Sequence, residues 1–186
     1  MRKISSEKEN PIDDLLIGFC DRVAPFFHAT GNTPNMITTY SLISGLFALY
    51  SALNGKRYSY VIFMTMSYFL DCLDGHMARK YNQITKFGDV YDHVKDNIIV
   101  ALTLFFLFRR TNQRHHLIFG AVISAGLFMM AVHMGCQQHH YGGNGDETLD
   151  ALKSLCKDPT HIKYTRFFGS GTFNIGLIIL VFYNLS

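Results

Sequence analysis

Long apolar runs separated by short charged or turn-forming links set the pattern of this chain, and the run lengths predict helices. Residues 35–54 hold no charged side chain, and about 20 helical residues at 1.5 Å each cross the roughly 30 Å hydrocarbon layer of a bilayer. Pro34 marks the start of that helix, and Asn54, Gly55, Lys56 and Arg57 end it. Four further spans are predicted at about 58–78, 88–108, 116–134 and 167–183. Ahead of them, Ile12, Leu15, Leu16, Ile17, Phe19, Val23, Phe26 and Phe27 lie broadly on one side of residues 11–28, interrupted by Asp13, Asp14, Asp21 and Arg22. That pattern predicts an amphipathic helix in the membrane interface, although a helix on a soluble core would share it. Residues 1–10 read as a polar tail without the early apolar run of a cleavable signal peptide, so the N-terminus is expected on the cytosolic side. Residues 137–160 read as a polar loop rich in Gly, Asp and His, with a short helical candidate at 147–156. The expected architecture is all-α: a polytopic transmembrane helix bundle over 33–186, with five spans.

Composition narrows the class. Of 186 residues, 48% are hydrophobic and 17% charged, too apolar for disorder. A net charge of +3 without Lys and Arg clusters argues against a nucleic-acid partner. Cys20, Cys72, Cys136 and Cys156 form no CxxC pair, so neither a disulfide framework nor a thiolate zinc site is expected. With the N-terminus inside, twelve of the 17 Lys and Arg fall on the cytosolic side, the arrangement the positive-inside rule favours.

The second and third spans break the apolar pattern, because Asp71 and Asp74 sit in one and Asp92 and Asp96 in the other. Each Asp costs roughly 2.5 to 3.5 kcal/mol near the centre of a membrane helix. Such groups mark functional pathways and face protein or water, unless they are interfacial caps at helix ends. Asp71, Asp74 and Ala78 share one helical face, and Gly88, Asp92 and Asp96 share another. Two antiparallel helices on a short link can therefore aim four carboxylates into one pocket. Their mutual repulsion is relieved by one or two hard divalent cations, which prefer oxygen ligands. Gly75 and Gly88 allow close backbone approach, Ala78 leaves room, and Arg79 offers a donor fork suited to phosphate.

Written out, residues 71–96 read DCLDGHMARKYNQITKFGDVYDHVKD. This stretch resembles the signature of the CDP-alcohol phosphotransferase family, DxxDGxxAR, eight residues, then GxxxDxxxD. All eight fixed positions match, a coincidence of roughly 10⁻⁸ at ordinary residue frequencies. The TPNMIT run at Thr33–Thr38 and the preceding amphipathic helix are also similar to the family, whereas the family bundle has six spans. The resemblance implies transfer of a substituted phosphate from a CDP-linked donor to an alcohol acceptor, with release of CMP. It implies Asp71, Asp74 and Asp92 as metal ligands and Asp96 as general base and further ligand, around Mg²⁺ or Mn²⁺, two ions in all. Asn35, Gly75, Ala78, Arg79, Thr85 and Gly88 match positions at the CDP donor, although Asn35 and Thr85 are also residue types that cap helices. A homodimer in the bilayer is implied, with the site facing the cytosol, in the endoplasmic reticulum membrane of a eukaryote or the cytoplasmic membrane of a bacterium.

The acceptor is less sharply written. His76, Asn82, Gln83, Thr85 and Phe87 resemble eukaryotic phosphatidylinositol synthases, implying CDP-diacylglycerol and a polar alcohol such as inositol. The Asp92–His93 pair instead resembles choline and ethanolamine phosphotransferases, and Asn97 stands where inositol synthases carry Arg. A cation pathway would also place Asp residues in membrane helices, but would not need Gly75, Ala78, Arg79 and Gly88 at this spacing. Adjacent helical positions point about 100° apart, so His76 and His93 are expected to pack or hydrogen-bond nearby, and Asp89 to be an ordinary first-turn charge. His139 and His140 are expected to be solvated, with metal binding or a place in the acceptor pocket as the alternatives.

Overall fold

The computed structural model describes residues 3–140 and 147–185, apart from the side chains of residues 113, 147 and 148. Residues 141–146 of the expected polar loop lie outside the described residues. The long helices are α1 (Pro11–Ala29), α2 (Pro34–Leu53), α3 (Arg57–Lys80), α4 (Lys86–Arg110) and α5 (His116–His140). After 3₁₀ turns at Glu147–Leu155 and Pro159–His161, a single turn α6 (Ile162–Thr165) and another 3₁₀ turn lead into α7 (Ser170–Asn184). The predicted amphipathic helix and the first four spans are therefore helical, whereas the fifth is broken at Gly169 and continues as α7. Helix α5 runs on to His140 and so takes residues 137–140 of the expected polar loop, and the candidate at 147–156 is 3₁₀ over Glu147–Leu155. Among the described residues there is no sixth span; the stretch before α7 is broken into short pieces.

Local sequence explains the boundaries. Asn10 caps α1, its side chain accepting from the N–H groups of Ile12 and Asp13, with Pro11 in the first turn. Thr33 caps α2 ahead of Pro34, and Thr85 caps α4 by accepting from Gly88 N at 3.0 Å. Gly55, at φ +68°, makes the α2–α3 turn in the left-handed region.

Small polar residues let α2 and α3 approach closely: Ser41 and Ser67 each donate through Oγ to the other's carbonyl at 2.8 Å. A Cβ on Gly45 would meet Ile99 Cδ1 at 2.7 Å, so this glycine seats α4 against the same pair. Away from the acidic segment, Ala48, Tyr60, Met64, Ile99, Leu107 and Val181 belong to one core joining α2, α3, α4 and α7. A second core packs Cys20 and Ala24 of α1 against Leu70, Leu73 and Met77 of α3. The opposite side of α1 leaves Leu15, Phe19 and Phe26 exposed, as a helix half-sunk in an interface would. Helices α2 and α5 and the 159–184 run are long and apolar enough to cross a membrane. The charges of their acidic segments keep α3 and α4, at 24 and 25 residues, from that description by composition.

Three local expectations are corrected. Cys136 and Cys156 form a disulfide, Cα–Cα 5.1 Å, against the expectation of no disulfide. The cause is tertiary: the 147–155 turn folds back on α5 so closely that a Cβ on Gly135 would lie 2.2 Å from the Leu152 carbonyl oxygen. Asp13, read as an interruption of the apolar side, is buried and accepts from Tyr68, from Ser170 Oγ at 3.1 Å and from Gly171 N at 3.3 Å. It thereby joins α1, α3 and α7. The N-terminal segment is packed rather than trailing: Ile4 is buried with Cys136, Cys156 and Ile162, and Gln137 Nε2 donates to Glu9 at 2.7 Å.

Candidate active site

The head of α2, the C-terminal half of α3, the 81–85 link and the first turns of α4 enclose a cavity of about 260 Å³. Its lining includes every residue singled out for the site: Asn35, Asp71, Asp74, Gly75, Ala78, Arg79, Thr85, Gly88, Asp92 and Asp96. Helical periodicity brings the Asp71/Asp74/Ala78 face opposite the Gly88/Asp92/Asp96 face once the short link reverses the chain. One oxygen from each of Asp71, Asp74 and Asp92 lies within 4.8 Å of the others. Asp96 stands outside that trio, with a half-exposed side chain. A second cavity of about 270 Å³ continues from Asp71 and Asp96 between α4, α5 and α7, past Leu127, Met130 and Phe173.

Each carboxylate has a distinct setting. Asp74 is buried and its Oδ2 accepts from Thr38 Oγ1 at 2.7 Å, which steadies it from α2. Asp92 Oδ1 is buried without a hydrogen-bond donor aligned on it. Lys95, missed by the sequence reading, reaches the cluster with its ammonium almost wholly buried, pairing with Asp71, with Asp92 at 3.0 Å and with Asp96 at 2.7 Å. The pairing at Asp92 is an ion contact off the hydrogen-bond axis. A signal existed in the i, i+3 spacing of Asp92 and Lys95, but similar spacing occurs on any charged helix.

The surrounding residues shape the rim. A Cβ on Gly75 would meet the Arg79 guanidinium at 3.2 Å, so glycine leaves space for Arg79 to lie back across α3. A Cβ on Gly88 would meet Asn35 Oδ1 at 2.9 Å and Thr85 Oγ1 at 3.0 Å. Asn35 is thus a cavity residue, not the α2 cap, whereas Thr85 both caps α4 and lines the cavity. Asp89 is also at the cavity rather than a free first-turn charge, 3.4 Å from His93 Nδ1. His76 is buried on the far side of α3, Nε2 3.0 Å from Asp21 on α1, outside the carboxylate group. His139 and His140 contact the carbonyls of Lys153 and Pro159 and tie the 147–161 segment to α5.

A cluster of oxygen ligands with a buried carboxylate oxygen short of a donor fits a hard divalent cation. The family model for CDP-alcohol phosphatidyltransferase matches residues 31–165, which include α2, α3, α4 and all four carboxylates of the cavity. The chain belongs to the CDP-alcohol phosphatidyltransferase family.

Relatives within it carry different acceptors in their names. The chain is 31% identical over 128 residues to the CDP-diacylglycerol–inositol 3-phosphatidyltransferase of Candida albicans, covering 66% of this chain and 54% of that protein. It is 32% identical over 73 residues to the CDP-diacylglycerol–glycerol-3-phosphate 3-phosphatidyltransferase of Aquifex aeolicus, covering 39% and 41%. Over 63 residues it is 40% identical to the CDP-diacylglycerol–serine O-phosphatidyltransferase of Bacillus subtilis, covering 34% and 36%. The chain spans about half or less of the length of these curated relatives. No solved structure matches it. Family membership and the apolar helices together make this a membrane protein.

Proposed function

We propose that this phosphatidyltransferase-family protein transfers a phosphatidyl group from CDP-diacylglycerol to a polar alcohol such as inositol, with release of CMP. The observation that carries the reading is the trio Asp71, Asp74 and Asp92 opening on the same cavity as Arg79, Asn35, Thr85 and Gly88. The names of the relatives support the lipid donor, and the block from Asp74 to Gly88 supports a polar acceptor.

The trio would hold Mg²⁺ or Mn²⁺, which supplies charge neutralisation on the diphosphate and its leaving oxygen. Arg79, at the rim, receives the diphosphate through its planar donor fork. Asn35 and Thr85 offer polar groups where the Gly88 backbone permits close approach. Asp96 stands where the two cavities meet and takes the proton from the acceptor hydroxyl at a carboxylate oxygen. The alcohol oxygen then bonds to the lipid-bearing phosphorus, the bond from that phosphorus to the bridging oxygen breaks, and CMP departs with that oxygen. Asp96 afterwards returns its proton to water. The family resemblance extends the reading to a homodimer, and the distribution of Lys and Arg supports a cytosolic site.

Purified protein with CDP-diacylglycerol and a panel of alcohols tests the reading. CMP release should require both donor and acceptor and should stop with a chelator. Release from CDP-choline or CDP-ethanolamine with diacylglycerol, and none from CDP-diacylglycerol with any polar alcohol, overturns it.

A further inference from the structure

Lys95 places a fixed positive charge inside the acidic cluster. Its side chain leaves α4 one position off the Gly88/Asp92/Asp96 stripe and is sequestered between α2 and α3, with Nζ 3.5 Å from Ser41 Oγ. Three carboxylates surround this ammonium: Asp71, which accepts a hydrogen bond from it, and Asp92 at 3.0 Å and Asp96 at 2.7 Å as ion pairs. Three helices hold it there, since Asp71 comes from α3, the Asp92/Asp96 pair from α4 and Ser41 from α2. A buried charge so enclosed is costly to withdraw, because its partners would be left unpaired.

The pairing is selective. Asp74 pairs with Thr38 and not with the ammonium, so the cluster divides into two overlapping places for positive charge. One is bounded by Asp71, Asp74 and Asp92, whose oxygens lie within 4.8 Å of one another. The other is bounded by Asp71, Asp92 and Asp96 and contains Lys95 Nζ. Paired divalent ions stand about 3.5 to 4 Å apart and bind carboxylate oxygens at about 2.0 to 2.1 Å for Mg²⁺. An ion bound between Asp71 and Asp96 would therefore overlap the ammonium.

We infer that Lys95 is a built-in cation that takes the second ion's place, so that the protein holds one divalent ion, at Asp71, Asp74 and Asp92. The inference rests on the proposed metal-dependent reading, in which the trio is a metal site. Lys95 is in this role a positioning residue, keeping Asp71, Asp92 and Asp96 together through its charge. It also makes a second loading step unnecessary.

Counting Mn²⁺ on the purified full chain, by equilibrium titration and electron paramagnetic resonance, tests this. Wild type should bind one ion per chain with the spectrum of an isolated Mn²⁺. Lys95→Met, and the hydrogen-bonding neutral variant Lys95→Gln, should each bind two with the broadened spectrum of a close pair. Two ions in wild type overturn the inference and leave the metal reading standing. No ion in wild type overturns both. One ion in wild type and one in a folded neutral variant also overturns the inference, because the ammonium is then not what excludes the second. Where neither variant folds, wild type still tests the inference: two ions overturn it, and one ion with the spectrum of an isolated Mn²⁺ is the expected result.

Discussion

An Asp-to-Asn exchange at Asp71, Asp74 or Asp92 keeps the side chain's size and removes the charge that would hold a cation. Because an amide costs less than a carboxylate inside a membrane helix, the bundle should remain folded. Asp74→Asn is expected to lose CMP release and Mn²⁺ binding while keeping the wild-type melting temperature; full turnover at ordinary metal concentration excludes the assignment. Asp96 predicts a different signature, since it lies outside the trio and beside the second cavity. Asp96→Asn should leave donor KM within a few-fold and lower kcat by about 10² or more, the usual scale of general-base catalysis. Arg79→Lys should raise donor KM more than it lowers kcat, because an ammonium cannot reproduce a bidentate grip on phosphate. Steady-state kinetics against donor concentration separate these two outcomes.

Packing of one element on another makes opposite predictions for two glycines. At Gly135 a Cβ would press on a backbone carbonyl, Leu152 O at 2.2 Å, so Gly135→Ala should push the 147–155 strap off α5 and cost about 1–3 kcal/mol. At Gly18 in α1 nothing lies within 4 Å of the added carbon, so Gly18→Ala should stabilise by up to about 1 kcal/mol through helix propensity. Thermal melts of the two variants in detergent should move in opposite directions. The same strap carries the Cys136–Cys156 bridge, which closes a loop of sequence separation 20. Loop closure of that length is worth about 3 kcal/mol in the chain-entropy account. Cys136→Ser should therefore melt lower than non-reduced wild type and match wild type in reductant; identical reduced and non-reduced melts contradict this.

Glu9, just ahead of the α1 cap, ties the N-terminal segment to α5 by accepting from Gln137. Burial, and then the charge of Asp13, push its carboxyl from 4.5 up to about 7, against the pull of the Asn10 N–H. A raised carboxyl pKa means the folded state binds the proton more tightly, so unfolding releases it between pH 4.5 and 7. Stability should fall as pH rises through that window, and the ionised group should cost about 3 kcal/mol above it. Glu9→Gln removes this dependence: its melting temperature should exceed wild type at pH 8, with the difference closing towards pH 4.5. Parallel pH profiles for the two proteins would refute the assignment. The outer face of the bundle points the same way as the family match, since Leu117, Ile118 and Val122 on α5 are all well exposed. An exposed apolar face of that size belongs against lipid.

Helix extents were legible in the sequence because run length, caps and apolar period are local properties. Pro34 and Thr85 announce their helix starts by the donor they lack or satisfy, although the cap of α2 is Thr33 and not Asn35, and the Asp71–Asp96 block carries its face pattern in its own spacing. Lys95, Asp13 and the Cys136–Cys156 pair were not legible in this way. A Lys one residue from an acidic stripe can point to water as easily as inward, and only the approach of Ser41 and Asp71 from neighbouring helices turns it into the cluster. Asp13 is a poor fit to an apolar face until Tyr68, Ser170 and Gly171 supply its donors. The two cysteines, 20 residues apart, meet because Gly135 lets the strap lie against α5. Local chemistry decided which helices form, whereas the burial of a charge or thiol depended on which surfaces those helices brought together, and that is a property of the packed bundle.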